Sequence, residues 1–295
     1  MIHPQIAEVL ASLPAPPPGP LDPVAMRAGE AAQVPPLDQR VPVASVTDDV
    51  ADGVPVRSYR SEATVEDADT LVYFHGGAFF LGSLDTHDHV ARALANATGW
   101  RVVSVDFRLA PEHAFPAGLD DCWAVVRWAA QQGGRVALAG DSSGGTFVAA
   151  LAARAADEGL DAVTHQVLYY PSLDLDFDED RYASLRTEGT GYGLETAGLK
   201  PFNAFYLESG ADPDDPEVSP IKREDLSGLP KALVVTAEHD PLRDEGELYA
   251  TRLRQAGVPV TATRYEGANH GFVQNFSWIP EFARVFDETA AFLNA

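Results

Sequence analysis

A serine hydroxyl becomes a useful nucleophile only when a base removes its proton and an acid orients that base. One serine of this chain stands in a setting suited to such work. Gly140-Asp141-Ser142-Ser143-Gly144-Gly145 lies between the apolar run Arg135 to Ala139 and the alanine-rich run Thr146 to Ala156. The context reads as a strand, a sharp turn and a helix. In a Gly-x-Ser-x-Gly turn the serine takes a strained conformation at the tip, and strand and helix come so close on either side that only glycine leaves room. Such a turn exposes Ser142 Oγ. It also puts the Ser143 amide at the positive end of the next helix, where it can donate to a developing oxyanion.

A base and an acid are then required. Of the eight histidines, His270 stands in Gly267-Ala268-Asn269-His270-Gly271, a small-residue loop after a strand-like run, where open α/β sheets present their ligands. The acid is expected at the carboxyl end of a strand between serine and histidine. Asp240, after the run Lys231 to Ala237, is preferred; Asp174, one strand earlier, is the alternative. The order Ser142, Asp240, His270 is the order such a sheet requires. A second source of oxyanion donors is expected in the loop after an earlier strand, and His75-Gly76-Gly77-Ala78-Phe79 offers two bare glycine amides there.

The elements that must position these groups follow from the pattern. Two strand-like runs, Val41 to Val46 and Val54 to Tyr59, flank Asp48 to Gly53, which reads as a turn. From Thr70 to Phe74 onward, strands alternate with helices. The strands are expected at 101–107, 135–139, 165–170, 231–237 and 260–265, and the helices at 84–98, 117–132, 146–158, 244–256 and 280–294. Val102 to Val105 and Ala232 to Val235 are apolar without alternation, as in strands covered on both faces. The fold class is therefore α/β, a mostly parallel central sheet flanked by helices with an antiparallel start. The alternation lapses over 174–229, an insertion long enough to cover something. Residues 5–13 form a short amphipathic helix, and the proline-rich stretch from Ala15 to Pro20 breaks it.

Composition bounds the partners. The 295 residues carry 44 acidic against 21 basic side chains, a net charge of −23, which argues against nucleic acid and anionic membrane surfaces. Salt adaptation and genome base composition both remain open as causes of that acidity. No run reaches the roughly twenty apolar residues of a membrane span, and Met1 to Leu10 lacks the features of a signal peptide, so a cytoplasmic location without membrane insertion is the expectation. The single cysteine, Cys122, sits in a helix with Trp123 and Trp128 and reads as packing. His87 and His89 flank Asp88, but residues two apart do not share a helix face, so they read as solvated and no metal is expected.

At this point the chain resembles the hormone-sensitive-lipase family of esterases among the α/β-hydrolases. The likeness spans 70–275 and rests on several motifs in order: His75 to Phe79, Asp106 to His113 with Phe115 to Ala117, Gly140 to Gly145, Asp240 to Gly246, and His270-Gly271-Phe272. The resemblance implies Ser142 as nucleophile with Asp240 and His270 as partners, and the amides of Gly76, Gly77 and Ser143 as the oxyanion hole. It implies a helical cap formed by 1–45 and about 180–220 over a catalytic domain of 46–295, and it makes Glu112 and His113 structural. Phe107, Ser143, Ala78 and His239 depart from the family's usual residues, and none removes a catalytic group. Phe79, Phe80, Leu81, Tyr170, Phe202, Phe205 and Tyr206 are expected to wall an apolar pocket.

The expected activity is a serine carboxylesterase acting on short- to medium-chain esters of small alcohols, with no cofactor and a small-molecule ester as its partner. A homodimer through an edge strand or the last helix is compatible with the family. An amidase or lactonase on the same triad is the alternative. A receptor of the same fold, like the gibberellin receptor, is disfavoured by the retained histidine.

Overall fold

The computed structural model of the protein describes residues 1–14 and 19–295, so part of the proline-rich stretch that follows the first helix lies outside the described residues. The chain opens with α1 (Pro4–Ser12) and α2 (Pro23–Ala31). Each has proline in its first turn, where the missing N–H would have no partner anyway, and Asp22 caps α2 by accepting from the Val24 and Ala25 amides. The sequence pattern did not reveal α2, because it buries no residue and so carries no strong apolar stripe.

A hairpin follows, β1 (Ser45–Ala51) and β2 (Val54–Arg60), closed by Asp52 and Gly53 at φ 48° and 87°. An Asp-Gly pair with both residues left-handed is the tight turn that matches strand twist. The strand expected over 41–46 thus lies at 45–51, and the expected six-residue turn shrinks to two residues. β1 is an edge strand with six of its seven residues exposed, so Asp48 and Asp49 fit there and hide the strand from an apolar-pattern reading.

The alternation then runs β3 (Thr70–Phe74), α3 (Asp88–Thr98), β4 (Arg101–Val105), α4 (Ala117–Gln131), β5 (Val136–Asp141), α5 (Ser143–Asp157) and β6 (Val163–Tyr169). The insertion carries α6 (Ser184–Thr187) and α7 (Thr196–Leu207). The remainder is β7 (Lys231–His239), α8 (Arg243–Gln255), β8 (Val260–Asn269), α9 (Phe272–Asn275) and α10 (Pro280–Leu293).

The strands form one eight-stranded sheet in the order β1-β2-β4-β3-β5-β6-β7-β8, parallel from β4 to β8. β2 runs antiparallel to both of its neighbours. Side chains alternate across it into two cores. From β3 and β5, Val72, Phe74, Val136 and Leu138 enter the core shared with α4, α5 and α8. Leu71, Tyr73, Ala137 and Ala139 enter the core shared with α3 and α10. A strand that feeds both cores is apolar at every position, which is why the run Thr70 to Phe74 shows no alternation.

Candidate active site

The elbow after β5 has the expected geometry. Ser142 sits at φ 53°, ψ −120°, a conformation a non-glycine residue holds only under the constraint of its surroundings. A Cβ on Gly140 would lie 2.5 Å from the Gly144 carbonyl oxygen, and one on Gly144 would overlap the Phe74 carbonyl. Both glycines are therefore required by the crossing of strand and helix. α5 starts at Ser143, whose N–H belongs to the unpaired first turn of a helix.

His270 and Asp240 come to Ser142 from the carboxyl ends of β8 and β7. His270 Nε2 lies 2.9 Å from Ser142 Oγ, and His270 Nδ1 lies 2.9 Å from Asp240 Oδ2. Asp240 is fully buried, and its other oxygen accepts from the Leu242 amide at 2.8 Å, which leaves the first free to orient the imidazole. Tyr170 packs edge-on against the His270 ring at 4.9 Å. The alternative acid, Asp174, is buried elsewhere: Arg181, Lys222 and the Tyr182 hydroxyl take its oxygens, and it makes no contact with His270.

The glycine loop departs from expectation at Gly76. Its N–H donates to Asp141 Oδ1 at 3.0 Å, so it is committed to holding the loop and cannot serve an oxyanion. The Tyr73 hydroxyl donates to the same oxygen at 2.5 Å. Burial would raise the Asp141 pKa, but the neighbouring His87 imidazole and the Tyr73 hydroxyl hold it below the usual carboxylate range. Asp141 is thus an anion that ties the loop after β3 to the residue before the nucleophile. The chain next turns left-handed at Gly77, Ala78 and Phe79, with φ 121°, 49° and 65°. Gly77 and Ala78 line the cleft beside Ser142, whereas Gly76 does not. The loop's hydrogen bonding, which the sequence does not display, is what sets Gly76 apart from Gly77 and Ala78.

Residues 71–274 match the family described as the alpha/beta hydrolase fold, more than half of the chain. The chain belongs to that family, in its hormone-sensitive-lipase-like branch. Carboxylesterase NlhH of Mycobacterium tuberculosis is 43% identical over 237 residues, covering 77% of this chain and 73% of the relative. An arylesterase of Saccharolobus solfataricus is 40% identical over 215 residues, 69% of this chain and 68% of the relative. Among solved structures, a hyperthermophilic esterase of the archaeon Pyrobaculum calidifontis superposes with a TM-score of 0.88 at 37% identity, over 98% of this chain and 97% of that one.

In this hydrolase the triad opens into a cleft of about 630 Å³. Phe80, Leu81, Tyr170 and Phe202 line it, as expected. Phe79, Phe205 and Tyr206 do not. Phe79 turns away from the cleft and stacks on Tyr206 at 3.8 Å, and Phe205 packs behind Phe80 at 5.0 Å. Phe202, Phe205 and Tyr206 share one face of α7 by their spacing, yet Phe202 alone of the three reaches the cleft, because the Phe80 and Phe79 rings take up Phe205 and Tyr206. The sequence reading missed the walls from α1 (Val9, Leu10) and from the turns around α9 (Gln274, Phe276, Trp278). Amphipathicity of the 5–13 helix was the available signal for the first set; nothing local marks the second.

Two further groups differ from the sequence reading. His87 is buried, stacked on His75 at 5.3 Å with its Nε2 3.7 Å from Asp141, and is not solvated. His89 Nε2 lies 2.6 Å from the Gln274 carbonyl. Glu112 pairs with Arg27 of α2, whose guanidinium also donates to the Phe80 and Ala110 carbonyls, so α2 is stapled to the loops under the site. Cys122 is buried within α4. No described helix is long and apolar enough to cross a membrane.

Proposed function

We propose that the protein is a serine carboxylesterase hydrolysing short- to medium-chain esters through an acyl-enzyme. The observation that carries this reading is the continuous hydrogen-bond chain from Asp240 through His270 to Ser142 at the floor of a largely apolar cleft. Ser142 Oγ attacks the ester carbonyl carbon as His270 Nε2 takes its proton. The carbonyl oxygen becomes an oxyanion facing the amides of Gly77, Ala78 and Ser143. The imidazolium, held by Asp240, returns the proton to the leaving alcohol. Water then attacks the acyl-enzyme by the same path, releases the acid and restores Ser142.

The segments 1–45 and about 180–220 act in this reading as a cap that sets which acyl and alcohol groups fit, over a catalytic domain of 46–295. Turnover of a p-nitrophenyl ester series from acetate to palmitate tests the reading. A maximum at short or medium chains that disappears in Ser142→Ala supports it. A folded wild-type protein that turns over no ester, but does cleave matched amides or lactones, overturns the ester assignment.

A further inference from the structure

The loop that faces Ser142 carries a conformational load. Ala78 and Phe79 are consecutive non-glycine residues at positive φ, 49° and 65°. L-residues avoid this region because Cβ crowds the following carbonyl, so such a pair persists only where its surroundings hold it. Gly77, just before them, is fixed for a different reason: a Cβ there would lie 2.5 Å from the Leu81 backbone. The turn is thus locked at Gly77 by sterics and strained at the next two residues.

One polar side chain reaches the strained pair. Ser143 Oγ accepts the Phe79 N–H at 3.3 Å, in a buried setting where Ser143 is 2% exposed. Ser143 is the residue after the nucleophile, so its backbone N–H and its side chain point at two parts of one device. We propose that Ser143 is a positioning residue: its hydroxyl holds the Ala78–Phe79 turn in the left-handed form, and thereby keeps the Gly77 and Ala78 amides converged on the oxyanion. Without that bond Ala78 can relax toward negative φ, which rotates its peptide plane and turns the amides away. The role of Ser143 Oγ is therefore coupled to the side chain at 78. Glycine at 78 takes the same φ at no steric cost and lessens the need for the tether. This inference deepens the esterase reading and rests on it for the oxyanion hole.

The test is a double-mutant cycle of Ser143→Ala and Ala78→Gly, read in two ways. The first readout is kcat and KM for p-nitrophenyl butyrate. The second is the rate of stoichiometric p-nitrophenolate release on labelling with a p-nitrophenyl alkylphosphonate. In that reaction the Ser142 Oγ–P bond forms as the P–O bond to p-nitrophenolate breaks, and His270 holds the serine proton. Ser143→Ala is expected to lower kcat and the labelling rate roughly tenfold, the loss of about one hydrogen bond, with KM changed less than about twofold. Ala78→Gly introduced into Ser143→Ala should restore most of both rates. Ser143→Cys, which keeps a weak acceptor, should fall between wild type and Ser143→Ala and serves if the alanine variant does not fold. Equal labelling rates for wild type and Ser143→Ala overturn the inference, as does a Ser143→Ala loss that Ala78→Gly leaves untouched. A wild type that is labelled at Ser142 but hydrolyses no ester instead breaks the esterase reading, and the labelling rates still decide the role of Ser143.

Discussion

The two sides of Ser142 are built on different principles. On the oxyanion side the backbone itself is the reagent, so the chain is held in forms it would not choose: Ser142, Ala78 and Phe79 all sit at positive φ, with the Asp141 carboxylate pinning Gly76 beneath them. On the proton-transfer side the reagents are side chains in ordinary strand-end loops. His270 is held between Asp240 and Ser142 at 2.9 Å on either side, and Asp240 in turn by the Leu242 amide at 2.8 Å. Strained backbone is therefore gathered where amides must converge, while on the other side Tyr170, packed against the His270 ring, sits at φ 35°. The comparison teaches that substitutions on the proton-transfer side should remove chemistry cleanly, while those on the oxyanion side should blur geometry by degrees.

The largest effect should come from the proton-transfer side. Ser142→Ala is expected to lower kcat on the order of a millionfold and Asp240→Asn about ten-thousandfold, while both proteins stay folded by circular dichroism. Asp174→Asn provides the contrast. It removes the charge of a buried carboxylate whose partners Arg181 and Lys222 reach solvent, so it should cost roughly 1.5–3 kcal/mol of stability in urea melts and leave kcat of the folded protein near wild type. A ten-thousandfold loss of kcat in Asp174→Asn would exchange the roles of the two acids.

Next comes the oxyanion side. Asp141→Asn removes the charge that Tyr73 and Gly76 bind, so kcat should drop roughly 10- to 100-fold, the worth of a charge-assisted hydrogen bond. A drop as large as that of Asp240→Asn would erase the distinction between the two sides. The cleft wall should respond less and in a different quantity. Phe202→Ala is expected to shift the optimum of the ester series toward longer chains, changing relative kcat/KM by about tenfold per step.

A last effect, which touches no step of turnover, is on stability against pH. His75, the residue that begins the glycine loop, is fully buried, and burial together with the adjacent His87 lowers its pKa to about 3. The unfolded chain therefore takes up this proton before the folded one does. Stability is at its plateau above the ordinary histidine value and declines as pH falls through the window from about 6.5 toward 3, by at most about 1.4 kcal/mol per pH unit from this group. His75→Gln should flatten the dependence of Tm on pH between about 6 and 4. An unchanged slope would show that other groups dominate it.

How much of this was legible in the sequence follows the same division. Ser142, Asp240 and His270 were readable because a triad needs particular residue types at strand ends in a set order. The parallel strands were readable because burial on both faces leaves long apolar runs. Asp141 was visible in the motif, but its bond to the Gly76 amide was not. The cleft walls were least legible. Val9, Gln274 and Trp278 meet only through the tertiary fold, and a ring on α7 looks the same in sequence whether it faces the cleft, as Phe202 does, or the core, as Tyr206 does. β1 was placed four residues early because an exposed edge strand has little apolar signature to fix its bounds.

Helix α1 supplies part of the cleft wall yet is lightly attached. Ile6 is its one buried residue, and the His3 amide donates to the Gly267 carbonyl at 2.9 Å. An element with so little buried area opens at a free energy well below that of the whole molecule. Warming should therefore detach this wall while the sheet is still intact. Turnover would then fall reversibly at temperatures below the calorimetric transition, and the long-chain esters that lean on Val9 and Leu10 would lose first.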